Sequence, residues 1–306
     1  MIGIREMRHI RVGRGSDDCG SMLMLVSSML IFGTIGIFRR YIPLSSGFLA
    51  FTRGMLGGLS LIIFMGLKGG DTRLDLAPRQ LAQLIVTGAA MGINWILLFE
   101  SYTYTTVATA TLCYYMQPTI VLLLSPVIFG ERLTGKRAIC AGIAIIGMVL
   151  VSGVTGGYGT HGEDMRGILL GLGAALLYAI VVIMNKRLGG IDAYKKTAVQ
   201  LLSAGIAMIP YLCLSHDREA MGFDALTVAL LLIVGIVHTG IAYLLYFGSM
   251  DGLEAQTIAL FSYIDPVSAL VFSSLLLQEP LSMAGMIGAA MILGSAIIGE
   301  AWGRGR

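Results

Sequence analysis

Tyr114-Tyr115-Met116-Gln117-Pro118 and Ser262-Tyr263-Ile264-Asp265-Pro266 are one stretch written twice. Each proline is followed 13 residues later by a glutamate, in Glu131-Arg132-Leu133-Thr134 and in Glu279-Pro280-Leu281-Ser282. The offset between the copies is 148, and it also pairs Gly92 with Gly240, Thr109 with Thr257 and Leu133 with Leu281. Nearly every residue between proline and glutamate is apolar. Proline lacks the backbone donor and bends or breaks a helix. In lipid, the carbonyls this frees have to face protein or a cavity. A proline within a long apolar stretch, once per half of the chain, marks a duplicated membrane protein whose broken helices face something polar.

Composition agrees. The chain is 56% hydrophobic and 13% charged, with mean hydropathy +0.82. Soluble domains carry roughly 25% charged residues, so a soluble fold of this length would lack the charges to cover its surface. The 41 glycines suit helices that pack closely in lipid. Cys19, Cys113, Cys140 and Cys213 are scattered and form no CxxC, so neither a metal site nor a disulfide framework is expected. No basic patch interleaved with aromatics appears, which argues against a nucleic-acid partner. No cofactor motif is present, and none is expected.

A span needs about 20 largely apolar residues. Ten stretches qualify or nearly so: 20–38, 44–67, 80–100, 104–128, 137–155, 167–185, 194–214, 225–249, 255–278 and 282–301. Only Arg53 and Asp265 place a charge near the middle of one. The expected fold is therefore all-α and integral to the membrane, with ten transmembrane helices in two five-helix repeats, 19–155 and 167–301. Residues 1–18 read as a basic arm, 156–166 as the central link and 302–306 as a tail. A cleaved signal peptide also begins with a basic stretch before an apolar run, but the run from Cys19 to Phe38 is too long for its apolar core.

Lysine and arginine in the loops set orientation. With the N-terminus in the cytoplasm, the cytoplasmic side holds 16 of them and the other side four, Arg53 being the remaining one of 21. Both termini are thus expected inside a cell membrane, the inner or plasma membrane, with the link outside. Five spans per repeat is an odd number, so the second repeat enters upside-down. Inverted repeats related by an axis in the membrane plane are the physical basis of alternating access.

The paired Tyr-x-x-Pro helices, at Tyr115 to Pro118 and Tyr263 to Pro266, each with its glutamate, resemble the drug/metabolite transporter superfamily, in its EamA-type branch. Arg53 in the second span matches a common feature of that family, and its repeat counterpart, near offset 147, is Gln200. The resemblance covers about residues 20–301. It implies ten helices in two repeats and the export or import of small metabolites such as amino acids, purines, sugars or toxic analogues. Asp265 departs from the family pattern.

Several residues could carry function. Pro118 and Pro266 either improve packing alone or act as hinges lining a central cavity. A carboxylate at mid-span costs at least about 2.5 kcal/mol. Asp265 therefore faces a cavity, pairs with a cation, carries a proton that suits coupling, or forms a neutral interhelical hydrogen bond. Arg53, beside Gly54, Gly57 and Gly58, is expected to be structural, bonding carbonyls within the bundle; capturing a substrate carboxylate is the sharper reading. His238 is a second proton-coupling candidate, since imidazole exchanges protons near neutral pH; a hydrogen-bonded packing role is the plainer one.

Asn94, Trp95, Tyr178 and Tyr243 sit near mid-depth, where their polar tips need partners that a cavity or scattered interhelical bonds would supply, and Tyr115, Gln117 and Tyr263 join them. With His238 and Asp265 they form the expected substrate-binding set. Tyr102, Tyr104 and Glu100 fall near a span end and are expected to anchor at the interface. Glu131 and Glu279 are expected to bond backbone amides of the next helix.

The expected function is secondary active export of small organic metabolites, with protons as the candidate coupling ion. A facilitative channel or uniporter is the alternative. The absence of HExxH, GxSxG and paired mid-membrane aspartates argues against an enzyme, and no Walker A motif is present for ATP. The partners expected are a small-molecule substrate and membrane lipid. A homodimer could form through the glycine-rich fifth and tenth helices, at Gly142, Gly147, Gly285, Gly288 and Gly294.

Overall fold

The computed structural model describes residues 6–67, 75–105, 107–152, 164–214, 224–278 and 282–304, and among them every regular element is a helix. The central link, apart from the helical residues from Asp164 onward, and Glu279 lie outside the described residues. The first half holds α1 (Glu6–Arg40), α2 (Ser46–Leu67), α3 (Pro78–Tyr104), α4 (Val107–Tyr114), α5 (Gln117–Phe129) and α6 (Gly135–Ser152). The second holds α7 (Asp164–Arg187), α8 (Ala193–Leu214), α9 (Ala225–Gly235), a π-helical turn at Ile236–Ile241, α10 (Ala242–Ser249), α11 (Ala255–Ser262), α12 (Ile264–Leu277) and α13 (Met283–Arg304). Residues 6–18, read from sequence as an arm, form the first turns of α1.

Among the described residues eight stretches are long and apolar enough to cross a membrane, and Met283–Gly299 is a shorter apolar helix. The 18 residues of α6 span about 27 Å at 1.5 Å per residue, close to the thickness of a hydrocarbon core. Large apolar side chains stay exposed on the outside, Val127 at 85% and Leu67 at 82% among them, which suits a multi-pass membrane protein. α4 with α5, α9 with the π turn and α10, and α11 with α12 each make one crossing.

Both prolines open a new helix instead of kinking an old one. α4 ends at Tyr114 and α5 begins at Gln117, while α11 ends at Ser262 and α12 begins at Ile264. Pro118 and Pro266 therefore sit in a first turn, where a missing N–H costs nothing because it would have no helical acceptor. Both second segments also end alike. α5 stops at Gly130 (φ 69°) and α12 at Gln278 (φ 55°), which are 148 residues apart. The left-handed conformation is natural for the glycine and strained for the glutamine.

Contacts between the halves follow an exchange symmetry. α3 packs on α7 as α10 packs on α1, and α1 packs on α12 as α7 packs on α5. α2 with α8 and α6 with α13 are self-paired across the axis, and the two broken crossings meet through α5 and α11. The paired glycines Gly92 and Gly240 mark mirrored contacts. A Cβ at Gly92 would stand 2.5 Å from the Ala204 carbonyl of α8, and one at Gly240 would stand 3.0 Å from Ser60 Oγ of α2. This is the inverted five-plus-five arrangement.

Chain order then fixes two faces. The distal face carries the end of α1, the start of α2, the end of α3 and the start of α4. The proximal face carries the end of α5, the start of α6, the end of α7, the start of α8, the end of α10 and the start of α11.

Candidate functional site

A cavity of about 400 Å³ lies on the pseudo-two-fold axis, between α1, α2, α3 and the two broken helices. Its floor is at the helix breaks, where Tyr114, Tyr115, Gln117, Ser262 and Asp265 reach it. Its mouth reaches Gly36, Arg39, Ser46, Tyr102 and Thr111 at the distal helix ends. Among the described residues, Tyr246 in the last turn of α10 is the lining residue nearest a proximal helix end.

The wall is built from mirrored positions with unequal chemistry. At the repeat offset of 148, Trp95 answers Tyr243, Gln117 answers Asp265, Leu98 answers Tyr246 and Tyr114 answers Ser262. All eight line the cavity. The duplication thus supplies the frame, and divergence supplies the charge. Gln117 and Asp265 each lie in the first turn of a half-helix. Tyr115 Oη donates to Asp265 Oδ2 at 3.2 Å, while Gln117 Nε2 makes no hydrogen bond.

Arg53 lines the same cavity. Its guanidinium lies over the Trp95 ring, 5.0 Å from the centroid, and Nε donates to Thr239 Oγ1 at 3.1 Å. Thr239 belongs to the π turn and in turn donates to the Val234 carbonyl, five residues back, at 2.9 Å. A π turn widens a helix locally and is common at functional sites; here it turns a hydroxyl toward the arginine. Among the described residues Arg53 and Asp265 form no ion pair with each other.

Aromatic rings close the remaining wall. Tyr114 and Tyr178 stack at 5.8 Å with 13° between their planes, and Tyr243 contacts both Phe32 at 5.0 Å and Trp95 at 6.4 Å.

Of the expected binding set, Trp95, Tyr115, Gln117, Tyr178, Tyr243 and Asp265 meet in the cavity, and Asn94, His238 and Tyr263 do not line it. Asn94 is buried between helices and donates to the Ala174 carbonyl at 2.5 Å. His238 lies behind the wall, sharing a 2.8 Å hydrogen bond with Thr34 and packing 4.6 Å from the Phe38 ring. Tyr263 shares a 2.5 Å hydrogen bond with Thr119. Pro118 and Pro266 set the helix breaks without lining the cavity. Tyr102, read from sequence as an interface anchor, stands at the mouth. Sequence reasoning left Tyr246 and Leu98 out of the binding set, although the repeat offset that pairs them was available as a signal. Glu131 bonds backbone amides of α11 in the opposite half and not those of the next helix. No group of side chains able to hold a metal occurs among the described residues.

Residues 20–153 and 165–298 each match the EamA-like transporter family. The chain belongs to this family. As an EamA-type protein it is 30% identical over 255 residues to an uncharacterized transporter, YxxF, of Bacillus subtilis (strain 168), a match covering 83% of this chain and 81% of the relative. It is 28% identical to an uncharacterized transporter of Archaeoglobus fulgidus, over 91% of this chain and 94% of that one. A solved crystal structure superposes with a TM-score of 0.82 at 21% identity, over 93% of this chain and 97% of the other, and shares the EamA-type fold.

Proposed function

We propose that this EamA-type chain is a secondary carrier that exports a small zwitterionic metabolite, such as an amino acid, by alternating access. The observation that carries the reading is the pairing of unlike charges in one cavity. Arg53 and Asp265 line the same aromatic-walled space without neutralising each other. A guanidinium offers a forked donor set for a carboxylate, and a carboxylate accepts from an ammonium. The rings between them receive an apolar or planar body, which keeps purines in view as a second substrate class.

The cavity reaches the distal face only. That geometry suits a carrier caught in one state better than a channel, which needs a continuous pore. The lysine and arginine bias supports a cytoplasmic proximal face and a multi-pass placement in the cell membrane. Without an ATP-binding motif, the driving force is an ion or substrate gradient. Asp265 is the coupling candidate, because it is the carboxylate in the cavity. No chemical transformation of the substrate is proposed.

The test is uptake into proteoliposomes across a panel of amino acids and purines. Saturable transport of at least one is expected, and a flat response across the panel overturns the reading. Asp265→Asn is expected to remove the dependence of transport on pH with normal protein yield. An unchanged pH response removes Asp265 from the coupling role.

A further inference from the structure

We infer that a charged latch on the proximal face holds the two halves together while the cavity is open distally, and that its release lets the cavity open to the other side. The inference rests on the alternating-access reading. Glu131, at the end of the first broken helix, reaches across to the start of α11 in the other half. Its Oε1 accepts from the Ala255 N–H at 2.8 Å and its Oε2 from the Gln256 N–H at 3.2 Å. Orphan amides at a helix start need such acceptors, normally supplied from within the same segment. Here the acceptor comes from the opposite repeat.

Arg137, at the start of α6 and itself buried, clamps the same residues. Its Nη1 donates to Glu254 Oε2 at 2.6 Å and to Gln256 Oε1 at 2.8 Å. Lys186 completes the layer. It donates to the carbonyls of Met250, at 3.2 Å, and Leu253 in its own half, while lying 5.9 Å from the Phe129 ring of the other. The loop between α10 and α11 is thus gripped from three directions, all at the end of the bundle away from the cavity mouth.

The other repeat lacks these charges. At the offset of 148, Arg137 is answered by Gly285, Glu254 by Thr106 and Gln256 by Ala108. A duplication that kept the proline, tyrosine and glutamate has not kept this ion pair at the mirrored positions. The consequence is a bias: contacts made only in the distally open state favour that state, as any differential interaction shifts a two-state balance. The latch therefore sets the resting conformation of the carrier, and transport has to break it in each cycle.

The experiment places one reporter thiol in the cavity wall, Leu98→Cys, in protein whose four native cysteines are changed to serine. Its reaction with a membrane-impermeant maleimide added outside is followed in sealed vesicles that hold the protein with its distal face outward. The Leu98→Cys protein is expected to label readily. Adding Arg137→Glu is expected to slow labelling roughly tenfold, the size of effect that one charge-assisted hydrogen bond allows. Glu254→Arg added on top restores the rate by exchanging the charges. Arg137→Gly, which writes in the residue of the other repeat, is run beside it and carries the same slowing in a milder form. Equal rates in all variants, or a slowing that the charge exchange does not rescue, overturn the latch. A reporter that does not label even with the latch intact contradicts the distal opening itself, and with it the carrier reading.

Discussion

Arg53→Ala is expected to weaken substrate binding by roughly ten- to a hundredfold, the range expected when a charge-assisted hydrogen bond is lost. The sequence alone favours a structural arginine, buried among glycines and bonding carbonyls. The structure places it on the cavity wall. Among the described residues its side chain makes one hydrogen bond, through Nε to Thr239, and rests on Trp95. A guanidinium carries five N–H donors, so most of its bonding capacity is left for a ligand. Thermal unfolding of the variant should shift little, because one bond and one stacking contact are lost. Arg53→Lys keeps the charge and loses the fork, and should fall between alanine and wild type. Calorimetric titration beside a thermal melt decides the matter. A large loss of stability with unchanged affinity would return Arg53 to the structural role.

Gly288→Leu is expected to be the most damaging change to stability. α6 and α13 approach each other through Gly147 and Gly288. A Cβ at Gly288 would stand 2.5 Å from the Gly147 carbonyl, and one at Gly147 would stand 2.7 Å from the Gly288 carbonyl. Overpacking of a core costs about 1–3 kcal/mol when side chains can give way. Here backbone meets backbone, so the helices themselves have to part, and the cost should reach or exceed about 3 kcal/mol. Gly142→Leu and Gly294→Leu are the controls, since a Cβ at either position meets nothing within 4 Å. Thermal unfolding in detergent should separate Gly288→Leu clearly from the two controls. Equal effects at all three positions would contradict the packing. Gly147 and Gly288, read from sequence as a surface for a second copy, are used within the chain.

Much of this architecture was legible before any coordinates. The offset of 148 ties Pro118 to Pro266, and the positions around them form the floor of the cavity. Trp95 and Tyr243 could be named because polar-tipped rings at mid-depth in lipid need a polar neighbour. Helix adjacency was not legible. Apolar helices in lipid are hydrophobic on every side, so periodicity does not reveal which face meets which neighbour. That is why His238 and Asn94 could not be told from cavity residues: each bonds through one ring or amide nitrogen to a single neighbouring helix. It is also why Arg53 could not be placed over Trp95. The π turn that offers it Thr239 leaves no signature in the sequence around Gly240. Glu131 shows the same limit, because its acceptor role depends on a helix 124 residues further on.

Counterflow in proteoliposomes tests the central claim most directly. Vesicles are loaded with an unlabelled member of the amino-acid and purine panel and diluted into a trace of the same compound carrying label. Two inverted halves sharing one binding site predict transient accumulation of label above equilibrium, abolished by Arg53→Ala. Label that only equilibrates, at a rate indifferent to what the vesicles hold, would contradict a carrier and point to an open pore.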